Sequence, residues 1–189
     1  RYIEFIKQVL SKNDDLTGMK VVLDCANGAG YKVGPEVFFE LGAEVVTISA
    51  EPNGKNINYK CGAMFPDQMA EKTKLQQADL GIALDGDADR VVFSDEEGQI
   101  IHGDHIIAVL AKEMKLSKQL VQNQVIGTIM SNLGLEIFLD SINVNLYRTK
   151  VGDRYILDEM IKSKTNLGGE PSGHILLTDY AKTGDGLLT

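Results

Sequence analysis

Leu80-Gly81-Ile82-Ala83-Leu84-Asp85-Gly86-Asp87-Ala88-Asp89-Arg90-Val91-Val92-Phe93 places two short apolar runs on either side of an acidic loop. Runs this short, bounded by Asp and Gly, read as buried strands rather than helices. The loop between them carries three carboxylates at alternate positions and closes on an arginine. Two unit charges about 4 Å apart repel by roughly 4 kcal/mol at an effective dielectric near 20, so carboxylates that converge need a counter-charge. In an open α/β sheet, loops beyond the carboxyl ends of strands are where ligands collect. Hard oxygen donors suit Mg²⁺ or Ca²⁺ rather than Zn²⁺. Asp85, Asp87 and Asp89 are therefore candidate metal ligands, and Arg90 a candidate holder of a phosphate beside the metal. Two other readings compete. Asp85, Asp87, Asp89 and Glu96 also fall at positions one, three, five and twelve of a calcium-hand loop, although Arg90 stands where that motif needs glycine and the flanks are not helical. A solvated acidic turn is the plainer alternative.

Working outward, apolar spacing predicts a helix over residues 2–12, a strand over 20–24, a tight loop over 26–30 and a helix over 34–41. A strand over 43–48, a polar loop over 51–66 and a helix over 67–77 lead into the strand before the aspartates. Beyond Phe93 a turn over 95–98 leads to a return strand over 99–101. Then follow helix 104–115, strand 124–129, helix 132–141, strand 143–147, helix 154–163 and strand 174–177. Alternation of this kind predicts two consecutive α/β domains, each a mixed, largely parallel sheet flanked by helices. We place them at residues 1–99 and 100–189. No repeat between the halves is obvious.

The 189 residues are 43% hydrophobic and 24% charged, with a formal net charge of −8. That charge argues against nucleic-acid binding through bulk electrostatics, but leaves small phosphorylated molecules open. Cys25 and Cys61 show no ligand spacing and suit a reducing, cytoplasmic setting. No signal-peptide pattern and no apolar stretch of membrane-spanning length is present. The chain starts at Arg1 without Met and ends at Leu187-Leu188-Thr189, so it reads as a piece of a longer protein.

Three other segments carry chemistry. Gly168-Gly169-Glu170-Pro171-Ser172-Gly173-His174 reads as a glycine-rich loop before an apolar strand. Glu170 can accept from sugar hydroxyls, Ser172 can donate or accept, and His174 can meet a phosphate or shuttle a proton. A polar hairpin turn explains the same residues, whereas a Ser-His hydrolase lacks the nucleophile-elbow pattern. Arg148-Thr149-Lys150-Val151-Gly152-Asp153-Arg154 is a charged stretch before a helix, either an anion site or a solvated cluster. His102 and His105 flank Asp104, which reads as the N-cap of the following helix rather than as part of a metal site. Asn27-Gly28 and Asn53-Gly54 are turn signals only.

Taken together, residues 85–90, 148–155 and 169–174 resemble the α-D-phosphohexomutase superfamily, and the resemblance covers essentially the whole chain. Asp24-Cys25-Ala26-Asn27-Gly28-Ala29, Asn56-Ile57-Asn58 with Cys61-Gly62, and Thr183-Gly184-Asp185-Gly186 narrow it to the bacterial phosphoglucosamine mutases. The resemblance implies a Mg²⁺-dependent interconversion of glucosamine 6-phosphate and glucosamine 1-phosphate, on the route to UDP-N-acetylglucosamine and peptidoglycan. It implies a phosphoserine carrier, a bisphosphorylated sugar intermediate, and a homodimer of the full-length enzyme. Asp85, Asp87 and Asp89 would hold the metal and Arg90 would steady the phosphoryl group. Glu170 and Ser172 would read sugar hydroxyls, with Lys150 and His174 near the reacting oxygens. The chain would match the second domain and most of the third of a four-domain enzyme, and by itself would be inactive.

Departures from the pattern are specific. No segment of the type that holds the phosphorylated serine is present, Pro171 stands in place of a glutamine, and Ala63-Met64-Phe65 replaces a Ser-Thr-His stretch. The last two bear on the sugar more than on the reaction. A phosphomannomutase or phosphoglucomutase is the alternative within the enzyme class, and a non-catalytic metal-binding module derived from a mutase the alternative outside it.

Overall fold

A computed structural model describes residues 1–10 and 15–189. The chain divides after Ile101 into two compact units, Arg1–Ile101 and His102–Leu187. In the first, helix α1 (Tyr2–Lys7) precedes strand β1 (Lys20–Asp24), helix α2 (Val33–Glu40), strand β2 (Glu44–Ile48) and helix α3 (Asp67–Leu75). Strands β3 (Leu80–Leu84), β4 (Val91–Ser94) and β5 (Ile100–Ile101) complete its sheet, ordered β2-β1-β3-β4-β5. The pairs β1/β2 and β1/β3 are parallel, and β3/β4 and β4/β5 antiparallel. Central β1 is buried from Val21 through Asp24, matching a strand covered on both faces. Val22, Met69, Ala78 and Ala83 form a core between sheet and helix.

The second unit repeats this plan. Helix α4 (Gly103–Leu116), strand β6 (Gln124–Thr128), helix α5 (Leu133–Ser141), strand β7 (Asn145–Thr149), helix α6 (Asp153–Ser163) and strands β8 (Leu167–Gly169) and β9 (Ile175–Leu177) follow in turn. The sheet order is β7-β6-β8-β9, with β6 parallel to β7 and β8, and β9 antiparallel to β8. Ile126, Ile156, Met160 and Leu176 form its core. No helix among the described residues is long and apolar enough to cross a membrane.

Each unit is the expected mixed sheet with helices, although in the first unit two of the four described pairings are antiparallel rather than the sheet being largely parallel, and several elements differ from the sequence reading. Gly168 and Gly169, read as loop, lie in strand β8. Their composition follows from packing, because a Cβ on Gly168 would press on Met160 Sδ at 2.7 Å and on Ile156 of α6. Gly81 of β3 makes the same close approach to Met69 of α3. The strand expected at 143–147 runs instead over Asn145–Thr149. The chain leaves α5 through a left-handed Asn143 (φ 54°), and the N–H groups of Asn143 and Val144 still bond carbonyls of that helix. Asp104 is not an N-cap: α4 starts at Gly103 after His102, and the Asp104 carboxylate accepts the Asn132 N–H at 2.8 Å. The predicted first helix ends at Lys7, followed by a turn, and its extension to residues 11 and 12 lies outside the described residues.

Candidate metal loop and sugar loop

The two loops singled out from sequence occupy the same topological place. Residues 85–90 join β3 to its antiparallel partner β4, and residues 170–174 join β8 to β9. Each therefore caps the carboxyl end of the third parallel strand of its unit, where the parallel strands release their loops.

In the first loop the Ala88 N–H donates to Asp85 O at 3.1 Å and Ala88 takes a left-handed conformation (φ 61°), turning the chain tightly. Asp85, Asp87 and Asp89 each offer an oxygen, and these lie within 4.8 Å of one another. Asp85 is buried, Asp87 exposed and Asp89 intermediate. Asp85 accepts the Arg90 N–H at 3.1 Å, while Arg90 Nε stands 3.9 Å from Asp85 and 3.8 Å from Asp89. That Nε is buried and donates no hydrogen bond. Arg90 is thus a long-range counter-charge to two of the three carboxylates. Burial, and then the neighbouring Asp89 and Asp87 carboxylates, push Asp85 up to about 6, against the opposing bond from the Arg90 N–H. The donor set, three hard oxygens within 4.8 Å of one another, suits a hard cation such as Mg²⁺ or Ca²⁺. The strand flanks exclude the helix-loop-helix of a calcium hand.

The second loop is a tight hairpin, in which the Glu170 N–H donates to His174 O at 2.9 Å and the Gly173 N–H to Glu170 O at 3.1 Å. Both Glu170 oxygens have partners: Oε1 accepts the Gly152 N–H at 2.9 Å and Oε2 the Ser172 hydroxyl at 3.3 Å. Glu170 thus joins the sugar loop to the turn that opens α6. Pro171 contributes its carbonyl, which accepts the Gly103 N–H at 3.1 Å, a role that needs no N–H at position 171. Ser172 is exposed and His174 buried at 2% exposure. Lys150 is exposed, its Nζ 5.8 Å from the Tyr155 ring centroid.

Arg148 does not join Lys150 in a charged loop. It lies in β7, donates to the carbonyls of Thr128 and Ser131, and pairs with Glu136 at 2.8 Å. Its guanidinium braces the turn between β6 and α5. Asp24, which the sequence offers only as part of a motif and not as a site residue, has a carboxylate that is fully buried and bound by two backbone N–H groups. The available signal was a charged residue ending the apolar run Val21-Val22-Leu23.

Comparison with known proteins bears on the whole chain. Residues 1–98 match the family model for phosphoglucomutase/phosphomannomutase, alpha/beta/alpha domain II, and residues 102–189 the model for domain III. Among curated relatives, phosphoglucosamine mutase of Thermodesulfovibrio yellowstonii is 51% identical and that of Brucella anthropi 54%, each over 189 residues. The chain is covered completely but spans only 42% of the length of either relative. A solved phosphoglucomutase/phosphomannomutase family protein from Burkholderia thailandensis superposes with a TM-score of 0.87 at 26% identity, covering 99% of this chain and 41% of that one. A putative phosphomannomutase from Thermus thermophilus superposes at 0.83 and 21% identity, over 99% and 44% of the two chains, a likeness of fold.

Proposed function

We propose, from the premise that this chain belongs to the phosphoglucomutase/phosphomannomutase family, that it is the metal-binding and sugar-reading part of a phosphosugar mutase. The reaction we assign is interconversion of glucosamine 6-phosphate and glucosamine 1-phosphate through a phosphoserine and a bisphosphorylated sugar. The observation that carries the reading is the convergence of Asp85, Asp87 and Asp89 within 4.8 Å at the end of β3. The sugar assignment is supported by relatives named phosphoglucosamine mutase at 51% and 54% identity.

In this reading Asp85, Asp87 and Asp89 hold Mg²⁺, which supplies positive charge to the oxygens of the transferring phosphoryl group. Arg90, anchored beside the carboxylates, directs its guanidinium at that group and steadies the charge it gains in the transition state. Glu170 and Ser172 accept and donate to sugar hydroxyls, exchanging their mutual hydrogen bond for bonds to the ring. Lys150, an exposed ammonium two residues before the Gly152 whose N–H Glu170 accepts, and His174, buried at the end of the loop, would stand near the reacting oxygens. Most of the rate enhancement then comes from positioning and fixed charge rather than from a nucleophile in these residues. The sequence contains no phosphoserine segment, so the chain alone does not turn over sugar phosphate. Two free, buried cysteines support a reducing cytoplasmic location.

Kinetic comparison of the full-length parent enzyme on glucosamine, glucose and mannose phosphates tests the reading. A preference for glucosamine 6-phosphate that requires Mg²⁺ is expected. Faster turnover of mannose or glucose phosphates would reassign the sugar while keeping the reaction, and metal-independent turnover would remove the role given to residues 85–90.

A further inference from the structure

We infer that Asp24 is a positioning residue for the metal loop, clamping the two loops against which residues 85–90 are folded. The inference rests on the reading of residues 85–90 as a Mg²⁺ loop. Asp24 ends β1 with no solvent exposure, and its carboxylate reaches in two directions. One oxygen accepts the Ala26 N–H at 2.9 Å, and the other accepts the Gly62 N–H at 2.9 Å.

From each bond a path leads to the metal loop. The Ala26 bond fixes a pair of left-handed residues, Ala26 (φ 52°) and Asn27 (φ 48°), which carry the chain to Ala29. The Ala29 N–H donates to Gly86 O at 2.8 Å. The Gly62 bond holds that residue at φ 72°, where a Cβ would overlap Leu84 O and Ala26 Cβ, and the Ala63 N–H donates to Leu84 O at 2.9 Å. A bond of 2.9 Å from the Asn58 N–H to Ala26 O ties the two paths to each other. The carbonyls of Leu84 and Gly86, one on each side of Asp85, are therefore held by loops that share one anchor. Asp85 is thus fixed through backbone on both sides, in addition to the bond its carboxylate accepts from the Arg90 N–H. Asparagine cannot replace this anchor, because its amide offers one acceptor and turns an NH₂ toward the second N–H.

The test is a Mg²⁺ titration of the 189-residue chain, followed by backbone amide shifts, for wild type and three variants. Outer-shell changes of this kind weaken metal binding about ten- to a hundred-fold, and folded Asp24→Asn is expected to show a loss in that range. Ala29→Pro removes the N–H donated to Gly86 O and sets the proline ring against that carbonyl, at an exposed site in the first position of a helical turn, and is expected to weaken Mg²⁺ in the same direction. Val22→Ala lowers stability from the same strand without touching either path, and should leave the affinity of the folded chain unchanged. Unchanged affinity in folded Asp24→Asn would overturn the inference, and so would unchanged affinity in Ala29→Pro if Asp24→Asn does not fold. A fall in Val22→Ala equal to theirs would overturn it as well, since general loosening would then explain all three. Failure of the wild-type chain to shift at millimolar Mg²⁺ would instead bring down the metal-loop reading, and the inference with it.

Discussion

The hairpin loops of the two units stand on the same scaffold and are prepared in opposite ways. In the β3–β4 loop three carboxylates converge on one another, with Arg90 3.8–3.9 Å from two of them. In the β8–β9 loop the one carboxylate, Glu170, already accepts from Gly152 and Ser172. In the proposed reading the first loop gains a cation, whereas the second would trade existing bonds for those of a sugar. The difference shows that a shared topology fixes where a site stands, while the balance of donors and acceptors fixes what it waits for.

That contrast can be broken most sharply at Asp87, which is exposed and sits among the three acids. Asp87→Ala is expected to abolish detectable Mg²⁺ binding by the chain in calorimetry while moving its unfolding free energy by no more than about 0.5 kcal/mol, as surface changes usually do. Equal Mg²⁺ binding in the variant would mean that the loop is an ordinary acidic turn. Glu170→Ala in the parent enzyme should lower kcat/KM by about ten- to a hundred-fold, the effect of losing a hydrogen bond to a charged acceptor. Mg²⁺ affinity should be untouched, and a parallel loss of metal would erase the division of labour between the loops.

The common scaffold has its own test. Gly81→Ala and Gly168→Ala each push a methyl group against a core methionine, Met69 or Met160, and each should destabilise the chain by about 1–3 kcal/mol in denaturant titrations. Neutral behaviour of one but not the other would show that the two helix-sheet contacts are less alike than their geometry. A further effect is in pH. With Asp85 raised to about 6 from 3.8, the folded metal-free chain holds a proton there that the unfolded chain has lost. Stability from this group is therefore present at low pH and declines as pH rises from about 4 to 6. Mg²⁺ requires the ionised carboxylate, so its affinity should fall by up to about tenfold per unit as pH drops below about 6, and should be flat above it. An affinity constant from pH 7 to 5 would place the proton elsewhere.

Much of this was legible in the chain. The apolar runs at 20–24 and 80–84 declared their strands because buried parallel strands need little but apolar bulk. Alternate spacing announced the acidic loop, since a hairpin end turns such side chains together. Leu167-Gly168-Gly169 hid its strand because packing against Met160 and Ile156 selected the smallest residue over a good strand former. Asp104 and Arg148 were misplaced because their partners, Asn132, Thr128, Ser131 and Glu136, come from other elements. Asp24 stayed hidden for the same reason, with Gly62 far along the chain. The repeat of plan between the units left no trace in the sequence because order of elements, not identity of residues, carries it.

The pairing pattern also bears on how the first unit assembles in time. Hairpin β3–β4 joins near neighbours such as Ile82 and Phe93, while β1 finds β3 by joining Val21 to Leu80 across most of the unit. Local hairpins close within microseconds and distant parallel pairings much later. On closure entropy alone, the pairing that carries the acidic loop costs less to form than the parallel pairing of β1 with β3.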